Sequence, residues 1–183
     1  MSPIPSWLGS LSLVASVGTA LSGGVFFAFS TFVMPGLGRL PPREGLAAMQ
    51  AINVAAINPL FMALLFGSAV LDLAVLVMAL RSQGPGAGLA VAGATLYIVG
   101  VIGMTMAFHV PRNEALATVS ASDPEAPARF ATYLASWVPG NHVRAVSAAI
   151  AAGLLFVSAM QWRGARAVEA SRTRAVAQNT MPI

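Results

Sequence analysis

The sequence predicts an all-α integral membrane protein, a four-helix bundle with two elaborated loops that carry short amphipathic helices on one face. Three observations predict it. Of 183 residues, 57% are hydrophobic and only 9% charged, whereas soluble domains carry about a quarter charged residues. Four apolar segments, at 8–34, 57–80, 87–108 and 142–162, each approach or exceed the roughly 20 residues a helix needs to cross about 30 Å of hydrocarbon. The links between them alternate long, minimal and long, so both long links share one membrane face and both termini share the other.

The first segment follows "MSPIPSWLGS", which has no Lys or Arg. That start lacks the basic region of a cleaved secretory signal, so the run reads as a retained transmembrane helix. Ser12, Ser16, Ala20, Gly24 and Ala28 recur every fourth residue, a small-residue stripe of the kind that lets helices approach closely in lipid. In the link that follows, Pro35, Gly36, Pro41 and Pro42 break the chain before a short helix. Leu46, Gln50, Asn53 and Ile57 share one face of it at spacings of four, three and four.

The second span contains Asp72, the one acid inside an apolar segment. Such a group near a helix centre costs roughly 2.5 to 3.5 kcal/mol on insertion scales, and Ser16 and Thr95 lie at similar depth as expected partners. "RSQGPGAG" is a tight turn. The third span carries Gly93, Gly100, Gly103 and Ala107, again for packing. The second long link, 110–140, holds a helix with Asp123 as its N-cap, Pro124 in its first position and Phe130, Tyr133, Leu134 and Trp137 at helical spacing. Pro139 and Gly140 are expected to end it, and Asn141 to cap the fourth span, where Ala145, Ala149 and Ala152 repeat the small-residue pattern. Residues 1–162 form one domain; 163–183 reads as a polar, arginine-containing, disordered tail.

All ten basic residues are Arg, giving a net charge of +4 and a pI near 11.1. They are scattered except for Arg163, Arg166, Arg172 and Arg174, a juxtamembrane cluster that reads as a topology signal or a contact to anionic lipid, not as a nucleic-acid surface. The two sides carry five arginines each; the tail cluster places both termini in the cytoplasm, in the cell membrane of a bacterium whose GC-rich codon use would account for Arg without Lys. Zero Cys excludes disulfides, thiolate chemistry and Cys-ligated metals.

Polar side chains gather at one membrane boundary. Gln50, Asn53 and Asn58 come from the first link; His109, Arg112, Asn113 and Glu114 from the end of the third span; Tyr133, Trp137, Asn141, His142 and Arg144 from the approach to the fourth. Structural roles compete for several: a cap for Asn141, interfacial anchors for Tyr133 and Trp137. Arg144 is harder to dismiss, since a cation in a first helical turn opposes the helix dipole. Buried Gln50 and Asn53 must also find partners. Two histidines and Glu114 have no metal-ligand spacing, so no metal is expected, and no phosphate loop or nucleophile elbow is present.

"FFAFSTFVMPGLGRL", "MQAIN" through "NPLF", "HVPRNEALA" and "YLASWVPGNHVR" together resemble the anthrone oxygenase-like family of small membrane proteins, many of them catalogued as a domain of unknown function. The resemblance spans most of residues 26–159. Its matching polar positions are Gln50, Asn53, Asn113, Trp137, Asn141 and Arg144, and the chain departs from the family pattern in the charged run Arg112-Asn113-Glu114. It implies oxidation of an anthrone-like ketone by O2 without a cofactor, with His109 or His142 as base. Arg144, Asn113 and Asn141 would stabilise the enolate and peroxide oxygens. Trp137, with Gln50, Asn53 and Tyr133, would hold the substrate. Expected partners are the lipid bilayer, a small apolar aromatic substrate or lipid, and a second copy in a homo-oligomer. The rivals are a non-catalytic protein that binds a lipid or quinone or supports a membrane complex, and a small-solute transporter, for which Asp72 lacks ionisable partners along the spans.

Overall fold

A computed structural model describes residues 7–82 and 84–179. The first six residues, Gln83 of the tight turn and the last four residues of the expected tail lie outside it. The described chain forms five helices: α1 (Leu8–Leu37), α2 (Pro42–Ala56), α3 (Pro59–Leu80), α4 (Ala87–Ala117) and α5 (Ala126–Asn179). Four of them, all but α2, are long and apolar enough to cross a membrane. The bundle is therefore the predicted one, with α2 laid across the end where the long links lie.

The chain does break at Pro41 and Pro42, where it turns over 38–41 before α2, but the other prolines near the span ends do not interrupt their helices. Pro35 lies just beyond a π-helical segment, Phe29–Val33, and α1 runs on to Leu37. Pro111 lies just beyond a second, Thr105–His109, and α4 runs on to Ala117. A proline removes one i→i−4 bond and its ring crowds the preceding turn; a π turn shifts the ladder by one residue and absorbs the mismatch. A further π segment, Ile98–Gly103, precedes the second of these on α4.

Pro139 lies inside α5, which continues without interruption for 54 residues, about 80 Å. Gly140 is there for proximity, not for termination: a Cβ on it would strike the Phe108 ring and sit 3.2 Å from His109 Nε2. Asn141 is accordingly an interior residue and caps nothing. The helix also carries residues 163–179, the arginine-bearing stretch.

Helix α1 packs chiefly on α5. Ser12 Oγ donates to the Leu155 carbonyl and Ser16 Oγ to that of Ala152, both at 2.9 Å. Ser12, Ala15, Thr19, Ser22, Phe26 and Ser30 form the buried face. Ala20 and Gly24 of the expected stripe are exposed, because a strict four-residue repeat drifts about 40° per step around a helix of 3.6 residues per turn. Asp72 is wholly buried and accepts from Thr19 Oγ1 at 3.0 Å, not from Ser16 or the outward-facing Thr95. Tyr97 joins the same layer by donating to Ser22 Oγ and the Leu65 carbonyl. At the opposite end from α2, the α3–α4 turn depends on Gly86, whose φ of 88° suits glycine. The outer surface is ringed by exposed Val, Leu, Ile and Phe, the arrangement a lipid solvent selects.

Candidate functional site

Beneath α2 the four spans enclose a cavity of about 790 Å³, within the range typical of small-molecule sites. One wall, from α4 and α5, is polar and aromatic: Thr105, His109, Asn113, Trp137 and Arg144. The facing wall, from α2 and α3, is largely apolar, with Ile52, Phe61, Met62 and Leu65 beside Gln50 and Asn53.

His109 sits at the last residue of a π segment and is 1% exposed. Its ring meets Trp137 edge to face at 4.9 Å and Phe108 at 5.2 Å. The Gly140 backbone lies alongside, yet neither ring nitrogen completes an aligned hydrogen bond. Buried polar atoms without partners are uncommon and call for an explanation. A ligand in the cavity that the ring lines would supply one.

Arg144 is 6% exposed. It donates to Asn141 Oδ1 at 2.7 Å and to Thr105 Oγ1 at 3.2 Å, and its Nε has no acceptor. Its guanidinium lies 4.4 Å from the Phe26 ring centre and 5.3 Å from that of Trp137. Among the described residues no carboxylate pairs with it. Cation–π contacts and neutral acceptors offset part of the cost of burying a charge, and the guanidinium remains able to bind an anionic oxygen.

Asn141 and Asn113 are the supports of this wall. Asn141 Nδ2 donates to the Phe26 carbonyl at 2.7 Å and Ser30 Oγ at 2.8 Å, where the α ladder of α1 gives way to its π turn, while its oxygen holds Arg144. Asn113 Oδ1 accepts from both Tyr133 Oη and Trp137 Nε1 at 2.9 Å. That oxygen is spent, and the Asn113 amide nitrogen is left for the cavity. Tyr133 and Trp137 therefore face inward as braces and are not anchors at the lipid interface.

The other expected site residues divide. Gln50 and Asn53 both line the cavity. Gln50 Nε2 donates to the carbonyls of Leu116 and Val119, closing the end of α4. Asn53 lies beside the Tyr133 hydroxyl with its buried NH2 unpaired. Asn58 is an N-cap for α3, accepting from the Phe61 N–H at 3.0 Å. His142 is exposed and absent from the cavity wall. Phe26 and Thr105 were not anticipated; both occupy helix interiors, and only their contacts with Arg144 mark them. Among the described residues no group of three His, Cys, Asp or Glu could hold a metal ion.

The sequence pattern that defines the anthrone oxygenase family matches residues 7–154. The chain belongs to that family. Comparison with curated proteins and with solved structures finds no match. The part of this anthrone oxygenase family member that matches contains every residue lining the cavity and stops short of the arginine-rich end of α5.

Proposed function

We propose that the protein is a cofactor-independent oxygenase that converts an anthrone-like, enolisable aromatic ketone to a quinone with O2. The observation that carries this reading is the pairing, on one wall of a largely apolar cavity, of an imidazole with no aligned hydrogen bond and a guanidinium with no carboxylate partner among the described residues. His109 removes a proton from the methylene carbon of the ketone. The electron pair of that C–H bond delocalises onto the ketone oxygen, and Arg144 and the free Asn113 amide stabilise the oxyanion. The electron-rich carbon gives its electrons to O2 and forms a C–O bond. The resulting peroxide loses water, so one ketone and one O2 yield one quinone and one H2O. Trp137 and Phe29 give the flat rings an aromatic face, and Asn141 sets the angle of Arg144.

Oxygen uptake by the protein in nanodiscs, supplied with emodin anthrone and compared with a protein-free control, tests the assignment. His109→Ala should lower the protein-dependent rate by about 10²- to 10⁴-fold, the usual contribution of a positioned base. His142→Ala should leave it unchanged. Full turnover in His109→Ala would remove the base from this mechanism, and no rate above the control would remove the oxygenase reading.

A further inference from the structure

The cavity has a mouth on the apolar flank of the bundle. Helices α3 and α4 pack together near their connecting turn, where Val75, Ala79, Ala90 and Ala94 share a buried cluster. They part towards the cavity, beyond the π segment Ile98–Gly103. The lips of the gap are Phe66 on α3 and Met106 on α4, 41% and 53% exposed, and Val54 and Ile57 of α2 overhang it at 75% and 77%. Each of these side chains also lines the cavity, so the outer surface and the interior are continuous here. From Asn58 to Phe66 on one lip, and from Glu114 to Met106 on the other, the gap descends about 12 Å from the polar rim. The exposed polar side chains of the lining, Asn58 and Glu114, stay at the rim, and the exposed side chains deeper in the gap, Phe66 and Met106, are apolar.

We infer that the substrate enters sideways from the bilayer, between Phe66 and Met106, and that the site selects flat aromatic ketones already dissolved among the acyl chains. The inference rests on the oxygenase reading for the identity of the ligand, while the route stands on the geometry of the lips. A polar conjugate of the same ring system, excluded from hydrocarbon, would be a poor substrate even with the reacting carbon unchanged.

The absence of Cys from the chain makes a clean test available. Met106→Cys, and Val17→Cys on the lipid-facing side of α1 away from the cavity, are each placed in a Trp7→Phe, Trp162→Phe background and alkylated with N-cyclohexylmaleimide in nanodiscs. Uptake of 9,10-anthraquinone is followed by quenching of Trp137 fluorescence, and turnover of emodin anthrone is measured in parallel. Alkylation at position 106 should slow quenching at least tenfold relative to the unlabelled variant, while alkylation at position 17 changes nothing. Equal quenching in both labelled proteins, or no quenching before labelling, would overturn the route. Label-sensitive quenching without turnover would uphold the route and sink the oxygenase reading; turnover with label-insensitive quenching would do the reverse.

Discussion

The guanidinium of Arg144 is oriented by a neutral amide and a hydroxyl, and the nature of those partners decides how the site responds to substitution. Asn141→Ala removes an acceptor for Arg144 and leaves the Phe26 carbonyl and Ser30 without their donor. Unsatisfied buried groups cost about 1–3 kcal/mol each, so thermal unfolding in detergent should register a loss of that order. Because Asn141 works through Arg144, kcat should fall while KM stays near its original value. Arg144→Lys should not rescue activity, since an ammonium cannot span the Asn141 and Thr105 acceptors while presenting a further donor. Asp72 answers to a different rule. It has one formed hydrogen bond, from Thr19, and an unpartnered second oxygen. Asp72→Asn should therefore be neutral to within about 1 kcal/mol by the same unfolding measurement; a loss above about 2 kcal/mol would show that the carboxyl itself is required.

Helix α5 shows why one mistaken boundary obscured which histidine faces the cavity. Trp137, Asn141, Arg144 and Ala148 follow one another at spacings of four, three and four, a single inward stripe, and His142 lies about 100° off it. That phase was legible in the sequence only if the helix crosses Pro139-Gly140, and placing a break there left His142 as eligible as His109. The spans themselves were legible because length and hydropathy survive any error of phase. The π segments were not, since a one-residue slip in the ladder leaves no compositional trace beyond the prolines that follow two of them. An interior proline costs about 3 kcal/mol in a regular helix. Pro139→Ala should thus raise thermal stability and leave helical content unchanged, and a lower melting temperature would mean that the packing needs the proline. Gly140→Ala should destabilise by about 1–3 kcal/mol through overpacking against Phe108.

Across the whole molecule, the two ends of the bundle are built differently. At the α3–α4 turn, buried Leu8, Val75, Leu155 and Trp162 close the helices together. At the other end an aromatic and aliphatic cluster that includes α2, with Met34, Leu46 and Phe130, packs beside the cavity and reaches it through Met49 and Trp137. Local opening is favoured where buried apolar contacts are few. Hydrogen exchange in nanodiscs should accordingly be faster over Phe61–Phe66 and Thr105–Val110 than over Val75–Ala79 and Ala90–Ala94. Uniform protection along α3 and α4 would contradict a loosened cavity end. The sequence disclosed which residues meet at that end, since the polar groups of three segments fall at one boundary. It could not disclose the gap, which depends on where two apolar helices diverge.

The unbroken course of α5 carries one more consequence. The wall that bears Asn141 and Arg144 and the arginine-bearing end beyond Trp162 are one rod of 54 residues, so neither can shift in depth without the other. A membrane thinner or thicker than the apolar spans is met by tilt or by local deformation of the lipid. In this protein such an adjustment moves the mouth of the cavity relative to the headgroups. Acyl-chain length thereby becomes a dial on access to the site, turned by the host membrane with no ligand bound and no residue altered.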